Sequence, residues 1–163
     1  MPSLLIVFHS ATGGTRRMAE AARDGAGEEA GTTTRLLHAA AAGPADLLAA
    51  DGYLFAAPEN LASLAGVMKD FLDRSYYPVL DRIQGRPYAA MVCAGSDGQG
   101  AARQLARIAT GWRLRPVAAP LIILTHAQTP EAILAPKTIA PADLARCGDL
   151  GAALATGLAL GVF

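Results

Sequence analysis

Cysteine is scarce. Only Cys93 and Cys147 occur in 163 residues, and neither belongs to a Cys-x-x-Cys pair, which removes a zinc site or a redox dithiol from consideration. A reduced, cytoplasmic protein is expected. Net charge is missing as well: fourteen basic residues balance fourteen acidic ones, so there is no electrostatic case for binding nucleic acid or an anionic membrane. Long apolar runs are few. Leu4-Leu5-Ile6-Val7-Phe8 is short and lacks a basic leader, so it reads as a strand and not as a signal peptide. The apolar end from Leu150 to Phe163 is about six residues short of a membrane span and closely follows Arg146 and Asp149, so a buried helix is expected there. No repeat or low-complexity linker interrupts the chain, and with 52% hydrophobic residues a single domain over residues 1–163 is expected.

What the chain has is alternation. Strand-like runs at Leu4 to Phe8, Thr32 to Leu37, Tyr53 to Ala57, Tyr88 to Ala94 and Pro120 to Thr125 are separated by helical patterns, which predicts βαβ units around a parallel sheet. The first helix turns Met18, Ala22 and Gly25 inward, and a weak second one runs from about Ala45 to Ala50. In the third, Leu64, Val67, Met68, Phe71 and Leu72 recur on one helical face, with Ser63 placed to cap it. The fourth uses Ala101, Leu105, Ile108 and Trp112, and the last uses Cys147, Leu150, Leu154 and Leu158 after Pro141. Five strands in the order 2-1-3-4-5 with right-handed crossovers would open a crevice at the carboxyl ends of strands 1 and 3.

The segment Ser10-Ala11-Thr12-Gly13-Gly14-Thr15 lies on that edge, between the first strand and the first helix. A helix start offers unpaired amides and partial positive charge, and the hydroxyls of Ser10, Thr12 and Thr15 add donors, so the loop suits a phosphate monoester. Arg16 and Arg17 follow it, either as balancing charges or as solvated residues of the first turn. The hexapeptide resembles the phosphate-loop signature of the flavodoxin-like family, in which this loop holds the phosphate of FMN. A second stretch, Pro58-Glu59-Asn60-Leu61-Ala62-Ser63, precedes a helix carrying Phe71-Leu72-Asp73-Arg74, and it is similar to the flavin-contacting loop of the NAD(P)H-dependent FMN reductase and quinone reductase branch. A third loop, Ala94-Gly95-Ser96-Asp97-Gly98-Gln99-Gly100, follows the fourth strand.

The resemblance implies an α/β, flavodoxin-like, doubly wound five-stranded parallel sheet with helices on both faces. It also implies a cofactor site of three parts. Ser10 to Thr15 would anchor phosphate, Pro58 to Ser63 would line one side of the ring, and Ala94, Gly95, Asp97, Gly98 and Gly100 the other. Asp97 is equally placed to cap the following helix. The chain departs from flavodoxin-type carriers in having no Tyr or Trp in the second and third loops, which would leave a ring face open to a second flat molecule.

The function implied is hydride transfer from NAD(P)H through FMN to a quinone or similar small aromatic acceptor. The alternative is a flavodoxin-type electron carrier or a non-enzymatic FMN-binding module. No side chain is nominated as a catalytic acid or base, and no metal is expected. A homo-oligomer is expected; Tyr76, Tyr77 and Trp112 would serve packing or a subunit contact, and the Pro-rich stretch Thr125 to Ala140 a lid or an oligomer arm. His9 and His126 lie at the same sheet edge, whereas His38 has no visible partner. Cys93 reads as a buried small apolar residue. Other users of this strand order are excluded: a phospho-receiver, a tyrosine phosphatase and a P-loop NTPase each need residues absent from the strand ends.

Overall fold

The computed structural model describes residues 1–163. The strands are β1 Ser3–Phe8, β2 Thr33–His38, β3 Gly52–Asn60, β4 Ser63–Leu64, β5 Pro87–Ala94, β6 Arg115–Pro116 and β7 Leu121–Leu124. The helices are α1 Gly14–Gly27, α2 Pro44–Ala49, α3 Gly66–Val79, α4 Gln99–Gly111, α5 Pro130–Leu134 and α6 Pro141–Leu160. The sheet runs β2-β1-β3-β5, with β6 and β7 both beside β5. All pairings are parallel except the short antiparallel one of β3 with β4.

The expected order of the main strands therefore holds, with differences from the sequence reading at the fifth strand and at the third helix. The fifth strand is broken: Arg115–Pro116 pairs with Pro87–Tyr88, Leu121–Leu124 pairs with Met91–Ala94, and residues 117–120 bulge between them. Pro116 and Pro120 have no amide hydrogen to give to a ladder, which accounts for the break. The expected cap of α3 is also absent. Ser63 belongs to β4, and Ala65 precedes the helix without a side-chain cap. Val67 is solvent-exposed at 37%, so the buried stripe of α3 is Met68, Phe71, Leu72, Ser75 and Val79.

Alternation along the central strands sorts the core into two layers. Leu5, Val7, Tyr53, Phe55 and Val92 pack with α2, α3 and α4, while Leu4, Ile6, Phe8, Leu54 and Met91 pack with α1 and α6. Because both faces of β1, β3 and β5 are covered, these strands read as unbroken apolar runs. Arg86 fixes α2, its guanidinium Nη1 donating to the carbonyls of Leu47, Leu48 and Ala50 at 3.0, 3.1 and 2.6 Å. Such cations at a helix C-terminus satisfy carbonyls that have no intrahelical donor.

On the other face α1 and α6 meet almost backbone to backbone. A Cβ at Gly25 would lie 2.1 Å from the Gly148 carbonyl oxygen, and one at Gly151 would lie 1.9 Å from that of Ala22. We expect Gly151→Ala to destabilise the fold by about 2–3 kcal/mol in urea denaturation, because two rigid backbones must separate. Gly27→Ala, where a Cβ meets nothing within 4 Å, should leave stability unchanged or raise it by up to about 1 kcal/mol.

Candidate functional site

Among the helices that start at the carboxyl edge of the sheet, α1 and α4 share one feature. Each is preceded by a glycine in the left-handed region, Gly13 at φ 95° and Gly98 at φ 83°, and neither has a capping side chain from its own N-cap residue. Both therefore present amides without intrahelical acceptors. What differs is what lies in front of them.

At α4 the position is taken. Glu59, at the end of β3, accepts from the Gly98 amide through Oε1 at 2.9 Å and from the Ala101 amide through Oε2 at 3.0 Å. A carboxylate there meets both the free donors and the helix dipole. Asp97, expected as a ligand contact or as this cap, points to solvent and makes neither bond. At α1, by contrast, Ser10 Oγ accepts from the Gly13 amide at 3.1 Å, and the first helical bond is that of Arg17 N–H to the Gly13 carbonyl at 3.1 Å. The amides of Gly14, Thr15 and Arg16 have no acceptor within the chain.

Gly14 and Thr15 border a cleft of about 330 Å³. Ser10, Ala11, Thr12, Gly14 and Thr15 form one wall, Pro58, Glu59 and Asn60 a second, and Ala94 and Gly95 a third. Gly13 sets the turn without lining the cleft. Leu61, Ala62, Ser63, Asp97, Gly98 and Gly100 also lie outside its lining. The reason is local. Leu61 at φ 51° and Ala62 at φ 60° make the two-residue turn of a hairpin in which Asn60 faces Ser63.

That hairpin leans on α4 and not on the cleft. Ser63 Oγ and the Leu64 amide both donate to Gln104 Oε1, at 3.0 and 2.7 Å, and Gly100 approaches the Ala62 carbonyl so closely that a Cβ would lie 2.1 Å away.

The segment 125–140 supplies residues that sequence reasoning did not assign to the site. Thr125, Ala127, Ile133, Leu134 and Lys137 complete the lining, with Cys93 at its base. The Lys137 amide donates to the Thr12 carbonyl at 2.9 Å, tying this segment to the first loop, and its Nζ donates to the carbonyls of Ile133 and Ala135 at 2.7 and 2.6 Å. Lys137 is the one cation of the lining. Arg16 instead lies over the Phe8 ring at 5.1 Å and near Glu20. No lining side chain is aromatic.

Cys93 is buried, and burial pushes its thiol pKa up; Lys137 and a hydrogen bond from Thr15 only partly oppose this. Cys147 is pushed up to about 11, chiefly by burial. Both stay protonated near neutral pH and are poor nucleophiles. With Glu59 engaged by α4, the lining holds no free acid or base suited to proton transfer, and no group of three His, Cys, Asp or Glu side chains is arranged to hold a metal. What the arrangement offers is unpaired amides and one ammonium, groups suited to an anion.

Beside the first loop, His38 does have a partner. The Ala40 amide donates to His38 Nδ1 at 3.1 Å, so the proton of neutral His38 sits on Nε2 and points to His9 Nδ1, also 3.1 Å away. His126, at φ 60°, is tied through its amide to the Gly95 carbonyl and is not in the lining.

The family model described as NADPH-dependent FMN reductase matches residues 40–129, more than half of the chain. A flavodoxin of Aquifex aeolicus (strain VF5) is 33% identical over 100 residues, covering 61% of this chain and 54% of that protein. The chain thus spans about half the length of that relative. Among solved structures, an archaeal flavodoxin superposes with a TM-score of 0.77 at 18% identity, covering 96% of this chain and 98% of the other. A flavodoxin, WrbA-like protein of Agrobacterium tumefaciens gives 0.70 at 22% identity, with 99% of each chain covered. These structural likenesses establish the flavodoxin-like fold.

Two measurements test the geometry. Glu59→Ala should cost about 1–2 kcal/mol of stability by urea denaturation, because it uncovers the start of α4. Burial and then His38 lower the pKa of His9 below 6.5, so the fold favours the neutral ring. That contribution is complete above 6.5 and is lost as pH falls through the lower folded value. Stability should therefore decline with acidification in this window, and His9→Asn should make the decline shallower.

Proposed function

The chain belongs to the NADPH-dependent FMN reductase family, and on that premise we propose that it is an FMN-dependent oxidoreductase. In this reading it takes hydride from NAD(P)H and delivers it to a quinone or a similar small aromatic acceptor. The observation that carries the proposal is the contrast between the two helix starts: that of α4 is filled by Glu59, and that of α1 is left open beside the cleft. A dianionic phosphate fits the open one.

The proposed contacts are those residues named from the sequence that border the cleft, together with Ile133, Leu134 and Lys137. The amides of Gly14, Thr15 and Arg16, the hydroxyls of Ser10 and Thr12, and the Lys137 ammonium would hold the phosphate. Each charge-assisted bond is worth roughly 1.5–3 kcal/mol, so a few suffice for tight anchoring. Pro58 to Asn60 and Ala94 to Gly95 would flank the ring, with Ile133 and Leu134 as its aliphatic neighbours. A cleft of about 330 Å³ lies in the size range of ligand sites.

Bound FMN supplies the two-electron redox chemistry, and the chain's part is to hold it with one face reachable. The aromatic-free lining supports exchange of a nicotinamide and an acceptor over that face.

The flavodoxin relative keeps a second reading in play, that of an electron carrier. Turnover separates the two. Purified holoprotein should oxidise NADPH or NADH when a quinone is supplied; absence of turnover with every quinone tried, together with reduction by a partner reductase, favours the carrier. Thr12→Val and Lys137→Gln should each weaken FMN binding about tenfold by flavin fluorescence titration. Unchanged affinity in both would remove the phosphate assignment.

A further inference from the structure

The strap from Ala127 to Pro136 borders the main cleft and makes no hydrogen bond to the body of the protein. It is tied at its two ends, to two different walls: the His126 amide donates to the Gly95 carbonyl of the third loop at 2.9 Å, and the Lys137 amide donates to the Thr12 carbonyl of the first loop at 2.9 Å. Between these points its bonds are internal. The Ile133 and Ala135 amides donate to the Thr129 and Glu131 carbonyls, the Ala132 amide donates to Thr129 Oγ1, and the Lys137 ammonium closes the end of α5.

This short helix carries the two largest apolar side chains of the lining, Ile133 and Leu134, and leaves them 50% and 77% exposed. Neither packs against either layer of the core. Apart from Glu59, held by α4, and Cys93 at the base, the lining away from the first loop consists of alanine, glycine, Pro58, Asn60 and Thr125. Asn60 and Thr125 suit any quinone carbonyl alike, so the aliphatic pair is what this lining has to tell one quinone from another. A protein seated on the pair would close the mouth against nicotinamide and acceptor, so the occupant that fits is a small molecule.

Resting on the function proposed above, we infer that Leu134, with Ile133 beside it, selects the acceptor, and that the preferred acceptor is a quinone bearing an aliphatic side chain. The quinone head lies over the ring in the cleft, and its side chain covers the two aliphatic residues at the mouth, removing apolar surface from water on both partners. The reaction keeps its balance: NAD(P)H and one proton reduce the quinone to the hydroquinone and leave NAD(P)⁺. The side chain takes no part in that exchange and acts through burial alone.

The test uses the intact protein loaded with FMN and two probes: the dimethoxymethylbenzoquinone head of ubiquinone, and the same head carrying one isoprenyl side chain. Their dissociation constants are read from amide shifts in NMR without NAD(P)H, and steady-state KM is a second readout. The isoprenyl probe should bind about tenfold more tightly, shift the Ile133 and Leu134 amides where the bare head does not, and lower KM with kcat little changed. Leu134→Ser should bring the ratio of the two constants below about threefold, whereas Leu61→Ser, at a leucine 100% exposed and outside the lining, should leave the ratio as it was. Because each ratio is taken within one variant, it does not depend on how tightly that variant holds FMN. Equal affinity for the two probes, a ratio undiminished in Leu134→Ser, an equal fall in Leu61→Ser, or a changed oligomeric state of Leu134→Ser in sedimentation overturns the inference. Protein that binds no FMN sinks the function proposed above and this inference together. A tenfold ratio without NAD(P)H turnover sinks only the enzyme reading and sustains Leu134 as a quinone contact.

Discussion

The arrangement of the site follows from how the chain disposes of unpaired amides at one edge of its sheet. A parallel sheet feeding helices from its carboxyl ends gathers several helix starts in one place, each with donors that need an acceptor. In this protein Glu59 closes one such start from within, and nothing in the chain closes the other. The internal carboxylate therefore anchors the turn after β3 to α4, while the Gly14, Thr15 and Arg16 amides at the start of α1 keep no acceptor within the chain. The same bond pulls the hairpin of Leu61 and Ala62 toward α4 and away from the cleft, which keeps the cleft open on that side.

Rigidity behind the loop matters as much as the loop. Gly14 begins α1 against Cys93, where a Cβ would lie 3.0 Å from the sulfur, and the helix is then clamped to α6 through Gly25 and Gly151. Thr32 reinforces this layer, its hydroxyl donating to the Ala155 carbonyl at 2.8 Å. Lys137 adds a strap from the other side through the Thr12 carbonyl. The phosphate site proposed above is made of backbone amides, which works only if the backbone does not move, and here the backbone is held by close packing on both sides.

Legibility in the sequence followed the range of the interactions. The first loop was readable because strand, small-residue turn and helix start are contiguous, and the central strands because burial on both faces leaves apolar runs. The order of the main strands followed from the alternation itself. Ser63 misled as a cap because a two-residue hairpin turn usually announces itself with Asn or Gly, and here Leu61 and Ala62 take the left-handed conformation without that signal. Asp97 misled because a carboxylate distant in sequence reached the helix start first. Lys137, Ile133 and Leu134 were not assigned because their position depends on a bond between segments at opposite ends of the chain. The pairing of His9 with His38 is of the same kind, two strand ends made neighbours by β1 lying beside β2.

The proline-broken outer strand has a bearing on solubility. An intact parallel edge would display a row of free amides and carbonyls able to template a strand from another molecule. Here the row stops after Pro116 and resumes only at Leu121, too short on either side to be extended in register. Association between copies through this edge must then use helix faces or loops; the opposite edge, β2, is continuous from Thr33 to His38.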